Sequence, residues 1–190
     1  AGWHRLRHLV SARRQTHMKI LWIADSAGAA LDPDPVSLVT GMLASQRLRI
    51  GLPARELARA GIHQRVVSLS AAWSDADLEG DLPDVAVFSK VLPRSAEHVE
   101  RHIHCAQVLS ARGCKVVVDV CDNHFEETRF PYLDRLIAPA AQVIAASPAL
   151  ADLVVLHTER DAVVVSDPAE GVRCAPHFEP MVRRGFLGKV

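Results

Sequence analysis

The chain has 190 residues, 49% of them hydrophobic, with 22 basic and 22 acidic side chains and a formal net charge of zero. That fits one globular domain with a real core, and no apolar run approaches the roughly 18 residues a membrane-spanning helix needs. The charge is uneven: Arg5, Arg7, Arg13 and Arg14 fall within residues 1–17 without an acid, which leaves 18 basic against 22 acidic residues in the remainder, a mildly acidic body that argues against a nucleic-acid partner.

Residues 1–17 are Arg- and His-rich without a sustained apolar period, so they are expected to be a non-native or disordered basic leader, with a leader helix as the alternative. Met18-Lys19-Ile20-Leu21-Trp22-Ile23 reads as a natural start running into a first strand, Lys19–Ala24. The small-residue loop Asp25-Ser26-Ala27-Gly28 follows, and such a loop lets a ligand approach the backbone. Asp32–Pro35 and Ser37–Ser45 read as a surface excursion. Pro53 suits the first turn of a helix over Ala54–Ala60 that stops at Gly61. Arg65–Leu69 reads as the second strand, Trp73–Asp81 as polar connecting chain, and Asp84–Phe88 as the third strand, ending at Ser89-Lys90.

Ser95 is a plausible N-cap with Glu97 in the first turn. Val99, Ile103, Ala106 and Leu109 then form an apolar stripe at helical spacing, ended by Gly113. Lys115–Val120 (Lys-Val-Val-Val-Asp-Val) reads as a strand buried on both faces. Tyr132–Ala138 reads as helix, Gln142–Ala146 as a strand, Ser147-Pro148 as the cap of a helix to about His157, and Ala162–Val165 as the last strand, broken at Asp167-Pro168. Strands alternating with helices predict an α/β fold: a doubly wound parallel sheet of the Rossmann-like kind, three layers deep. The usual order 3-2-1-4-5-6 sets the first and fourth strands side by side and brings Asp25–Gly28 next to Asp122–Phe125 at the switch point.

The motifs exclude more than they assign. No G-x-G-x-x-G follows the first strand and no G-x-x-x-x-G-K-[ST] occurs, which argues against a nicotinamide dehydrogenase or a P-loop NTPase. Cys105, Cys114, Cys121 and Cys174 form no zinc spacing, and with no credible signal peptide they point to reduced thiols in the cytoplasm. His98 and His102 are four apart on a helix, but the segment is not H-E-x-x-H; solvent-facing positions opposite the apolar stripe explain them better than a metal. Neither metal nor cofactor is expected. Ser147 lacks a nucleophile elbow and reads as an N-cap. Cys121 and His124 suggest a thiol–imidazole pair only if the loop brings them together.

Asp122, Asn123 and His124 combine a carboxylate, an amide and an imidazole where the central strand ends. Together they can hydrogen-bond sugar hydroxyls, and His acts near neutral pH; equally, the segment can be an Asx-type turn. Arg49 and Lys90 can each meet a phosphate or carboxylate, or face water.

Several segments together resemble one family. Arg49-Ile-Gly-Leu-Pro-Ala-Arg-Glu-Leu-Ala-Arg-Ala-Gly61, Asp84-Val-Ala-Val-Phe-Ser-Lys90, Val118-Asp-Val-Cys-Asp-Asn-His-Phe125, Val143-Ile-Ala-Ala-Ser-Pro-Ala-Leu150 and Val165-Ser-Asp-Pro-Ala-Glu-Gly171 are similar, in order and spacing, to the N-terminal domain of GT-B fold glycosyltransferases of the family 4-like group, although that family has Arg where Lys90 stands. The resemblance covers residues 18–171 and implies a two-domain transferase. Its first domain shapes the acceptor side, and its second binds the nucleotide-sugar and carries paired glutamates separated by seven residues. This chain contains no such pair, residues 172–190 are expected to be a loosely ordered tail, and Met181–Val190 within it resemble nothing in the family. The expectation is therefore an acceptor-side half of a truncated enzyme, inactive alone, whose partners are a nucleotide-sugar donor, a carbohydrate or other hydroxyl acceptor and a missing second Rossmann-like domain, with no nucleic acid and no transmembrane segment. Within it, His124 and Asp122 are the candidate catalytic residues, and Asp25, Ser26, Gly28, Arg49, Lys90 and Asn123 the candidate substrate contacts. The alternatives are a non-catalytic sugar- or nucleotide-binding module and a degenerate fragment.

Overall fold

A run of valines cannot stay in water, and Lys115–Val120 is where the sheet is built. The computed structural model describes residues 18–24, 46–69 and 82–167. In chain order these hold strand β1 (Lys19–Ala24), a π-helical turn (Arg47–Gly51), helix α1 (Leu52–Arg59), β2 (His63–Val67), β3 (Val85–Ser89), α2 (Ala96–Ala111), β4 (Lys115–Val120), α3 (Leu133–Ile137), β5 (Gln142–Ala145), α4 (Pro148–Thr158) and β6 (Ala162–Val164). All six strands pair in parallel in one sheet. The expectations for residues 1–17, 25–45, 70–81 and 168–190 lie outside the described residues.

The period-two alternation of each strand divides the core in two. On one face Leu21, Ile23, Phe88, Val116, Val118 and Val143 pack with Val99, Ile103 and Leu109 of α2, Leu136 of α3 and Val154 of α4. On the other, Ile20, Trp22, Val66 and Val87 pack with Ile50 and with Ala54 of α1. Helices cover both faces, as a doubly wound parallel sheet requires. Phe88 is fully buried, and truncating such a ring to Ala costs about 3–5 kcal/mol.

The caps fall where the local chemistry puts them. Ser95 Oγ accepts from the His98 N–H at 3.1 Å, and Ser147 Oγ from the Leu150 N–H at 3.3 Å. Gly61 and Gly113 close α1 and α2 with φ of +82° and +90°, backbone that a side chain disfavours. The second strand lies two residues earlier than predicted.

The strand order corrects one expectation. It is β2-β1-β3-β4-β5-β6, so β3, not β4, is the neighbour of β1, and the reversal falls between β1 and β3, the other common switch point of such sheets. The reason lies in the strands themselves. β2 exposes His63 and Arg65 and buries only Val66 fully, whereas β3 is buried from Ala86 to Ser89. A polar strand belongs at an edge and an apolar one inside.

A second correction concerns α2. His102 does not face solvent: it is 1% exposed, and its Nδ1 lies 2.8 Å from the His98 carbonyl. Position 102 is three after Val99 and four before Ala106, so it sits on the flank of the buried stripe. Among the described residues no group of three His, Cys, Asp or Glu side chains could hold a metal ion.

Candidate functional site

The carboxyl ends of β3 and β4 form the centre of the polar chemistry, because the register sets Ser89 beside Asp119. Both point to the face that α1 covers, each two residues on from the valine of that face, Val87 and Val117. A carboxylate 6% exposed must find partners, and Asp119 has several. Ser89 Oγ donates to its Oδ2 at 2.8 Å. Arg49 Nε donates to the same oxygen at 3.0 Å, and Arg49 Nη2 donates to Oδ1.

Arg49 was open to water as well as to a ligand in the sequence, and water is overturned: it is 7% exposed. The π-helical turn ahead of α1 carries it inward, where Nη1 also donates to the Val165 carbonyl at 2.7 Å and to Asp167 Oδ1 at 3.2 Å. One guanidinium thus ties the segment before α1 to the ends of β4 and β6. Burial opposes its charge, but the hydrogen bond and charge of Asp119 outweigh it and hold the group more basic than an ordinary arginine.

Lys90 follows β3 in the left-handed region, with φ of +51°. The turn brings Nζ to 3.4 Å from Asp122 Oδ2, both side chains partly exposed. Two predicted site residues therefore meet across the β3–β4 boundary. Beneath them is a recess of about 10 Å3, bordered by Lys90, Asp119, Cys121, Asp122 and His124. That is room for about one water, so a larger ligand has to meet this edge from outside.

Asn123 Oδ1 accepts from the Phe125 N–H at 3.2 Å, so the Asx-type turn is present. It swings His124 back toward the sheet, where the imidazole lies 6.0 Å from the ring of Tyr132. His124 Nε2 is shut off from solvent and has no hydrogen-bond partner among the described residues. Phe125 stacks on His157 of α4, with centroids 4.6 Å apart and planes 6° from parallel.

Cys121 turns its Sγ to Asp119 Oδ2, 3.5 Å away. Burial, and then the charge of Asp119, push its pKa up to about 12, so it is a thiol rather than a thiolate near neutrality and a poor nucleophile. Among the described residues Cys105, Cys114 and Cys121 form no disulfide with one another.

The structure thus brings Lys90, Asp122 and His124 to one edge, with Asn123 shaping the turn and Arg49 inside. Asp25, Ser26 and Gly28 lie outside the described residues, and β3 separates their strand from the loop after β4. Ser89 and Asp119 belong to the site without having been candidate contacts, although Asp119 stands in the polar cluster that begins at the end of the valine run. The signal for Asp119 was a carboxylate within a run of valines.

No family model and no curated protein matches this sequence. Among solved structures, the chain is similar to an alpha-glucosyltransferase in complex with UDP and a 13-mer DNA containing an HMU base, with a TM-score of 0.51 and 12% identity. The match covers 80% of this chain and 43% of that one, so the chain spans less than half of its length. The likeness establishes a glycosyltransferase-like, Rossmann-like α/β fold. Because that structure contains DNA, it lends no support to the exclusion of nucleic acid drawn from the charge balance. Among the described residues no helix is long and apolar enough to cross a membrane.

Proposed function

We propose that residues 18–171 are the acceptor-side lobe of a GT-B glycosyltransferase of the family 4-like group, moving a sugar from a nucleotide-sugar to a hydroxyl acceptor in the cytoplasm. The observation that carries this reading is the grouping of Lys90, Asp122 and His124 at the strand ends of a glycosyltransferase-like sheet. Sugar transfer makes two demands. Negative charge develops on the departing nucleotide, and an ammonium at the edge of the site can meet it. The attacking hydroxyl must lose a proton, and an imidazole or carboxylate within hydrogen-bond reach can accept it.

In this reading His124 or Asp122 handles the acceptor hydroxyl and Lys90 anchors negative charge. Asn123 keeps its amide N–H groups for sugar hydroxyls, while Asp25, Ser26 and Gly28 line another part of the cleft. Arg49 works from within: with its guanidinium engaged by Asp119, Val165 and Asp167, it positions the ends of β4 and β6 rather than the substrate. Such catalysis is mostly positioning and electrostatics, and a second Rossmann-like domain supplies the donor side. The 190 residues alone do not turn over.

The test is release of nucleotide from a panel of nucleotide-sugars by the full product of the encoding gene, with the 190-residue chain assayed alongside. The full product is expected to turn over, His124→Ala to lower the rate about 100-fold or more, and the 190 residues to be inactive. Turnover by the 190 residues ends the half-enzyme reading. A full product that binds sugar or nucleotide without turnover is a non-catalytic binding module.

A further inference from the structure

The two edges of the sheet are finished differently. The strand order places β2 at one edge and β6 at the other. β2 turns His63 and Arg65 to solvent, polar side chains that discourage a further strand from adding there. Residues 162–165 carry neither charge nor proline, and shortness is the one protection β6 has. Val163 is 51% exposed, with Val164 and Val165 exposed beside it.

The neighbouring helix extends the same surface. α4 packs on β5 and β6 and leaves Val155 exposed and Leu156 73% exposed. Among the described residues, Met18 is the one other large apolar side chain left in the open. Ala162 packs with the cluster beneath α4, so alternation sends Val164 to that face and Val163 and Val165 to the opposite one. The apolar surface therefore wraps the sheet edge from face to face. Such a patch marks an interface, and its shape suits a segment lying along the strand.

Its rim is acidic. Asp152, Glu159, Asp161 and Asp167 are exposed around it, and Asp152 lies one helical turn from Val155 and Leu156. Arg160, the basic residue among them, is engaged by the carbonyls of Ala138 at 3.3 Å and Ala140 at 2.6 Å. A second copy fits this edge poorly. Antiparallel pairing of two β6 strands about Val164 sets Asp161 of each opposite Asp167 of the other, and pairing about Val163 sets Glu159 opposite Asp167. Like charges so placed are destabilising.

Residues 181–190, outside the described residues, have the complementary character. They carry Arg183, Arg184 and Lys189 with no acid, among Met181, Val182, Phe186, Leu187 and Val190. In extended form Val182, Phe186 and Val190 fall on one side and Met181 and Leu187 on the other, apolar on both as the edge requires. The thirteen residues 168–180 separate this segment from the end of the described chain. Their reach of up to roughly 43 Å far exceeds the roughly 13 Å that residues 162–165 span.

We propose that residues 181–190 lie along the β6 edge of their own chain, with apolar side chains on Val163, Val164, Val165 and Leu156 and arginines toward Asp152, Glu159 and Asp161. The segment adds a strand to the sheet and closes its unprotected edge. This assignment is independent of the transferase reading, because neither the strand-end site nor a donor enters it.

The test replaces Phe186 of the 190-residue chain by photoreactive p-benzoylphenylalanine, irradiates it at low micromolar concentration and maps the cross-links by peptide mass spectrometry. Cross-links within one molecule, centred on residues 155–165, are expected. Val163→Lys/Val164→Lys puts charge on the edge at exposed positions, and Arg183→Glu/Arg184→Glu reverses the charge of the segment. Each is expected to cut the cross-link yield about fivefold or more, with the amide spectrum showing the sheet retained. If the lysine variant does not fold, Leu156→Lys, at the most exposed of these positions, decides in its place. Cross-links elsewhere on the sheet, no cross-link, or a yield indifferent to the folded variants overturns the proposal. Cross-links that join two molecules, with a dimer that dissociates on dilution in light scattering, overturn it in favour of a second copy at this edge.

Discussion

Arg49 and Asp119 stand seventy residues apart in sequence and meet as a buried two-point ion pair, Nε on Oδ2 and Nη2 on Oδ1. The pair joins the turn before α1 to the last third of β4, and a third guanidinium nitrogen reaches the end of β6. Removing one partner of such a pair strands a charge in a dry place, which costs about 3–5 kcal/mol. Arg49→Met is expected to lose that much in urea unfolding of the 190-residue chain. Arg49→Met with Asp119→Leu should recover much of it, because a packed apolar pair often matches a buried ion pair. A cost below about 1 kcal/mol for the single variant means that water reaches the pair.

The thiols set a stability limit on the alkaline side. Burial, then nearby carboxylates, raise Cys121 from 9.0 to about 12 and Cys114 from 9.0 to about 11. Above pH 9 the unfolded chain releases these protons while the folded chain keeps them, so stability falls as pH rises. The stabilisation is complete below pH 9 and declines toward 11 for Cys114 and 12 for Cys121. Urea midpoints at pH 8 and pH 10.5 are expected to show the drop, and Cys114→Ala/Cys121→Ala to shrink it. Equal drops with and without the thiols assign the alkaline loss to other groups.

Much of this fold was legible because local signals carried it. The valine run gave β4 its limits, and Ser95 with Gly113 bracketed α2. What escaped depended on distance or on comparison. The strand order could have been read by weighing His63 and Arg65 in the second strand against the apolar third strand, a contrast between edge and centre that no single segment shows. Asp119 in its valines demanded a partner, but nothing local names Arg49, whose own surroundings of Ile50, Gly51 and Leu52 hint only that it turns inward. Lys90, Asp122 and His124 were legible as residue types at strand ends. Their meeting was not, because it follows from β3 lying beside β4.

Ser147 separates a structural serine from a nucleophile. Its Oγ accepts from the Leu150 N–H, which satisfies one of the unpaired donors at the start of α4. Ser147→Ala is expected to cost about 1 kcal/mol in stability and, in the full gene product, to leave the nucleotide-sugar turnover rate within about twofold of the parent when folded. Ser95→Ala should match it in stability through α2. A rate loss of about 100-fold at Ser147 without a stability change makes it a participant in the chemistry.

Lys90 tests whether strain at the edge serves binding. Its φ of +51° places a side chain in left-handed backbone, a conformation that costs about 1–2 kcal/mol and that Gly adopts freely. Its ion pair with Asp122 is partly exposed and returns at most about 1 kcal/mol. Lys90→Gly should therefore keep stability within about 1 kcal/mol of the parent. Lys90→Val, branched at Cβ where the backbone tolerates it least, should lose about 1–2 kcal/mol. Both variants lack the ammonium, so in the full gene product both should raise KM for the nucleotide-sugar by about tenfold or more, the loss of one charge-assisted contact. A glycine variant with unchanged stability and unchanged KM makes Lys90 a turn residue and moves the anion anchor elsewhere. A raised KM in both, with stability split as described, assigns the strained turn to holding the ammonium over Asp122 where the ligand's charge arrives.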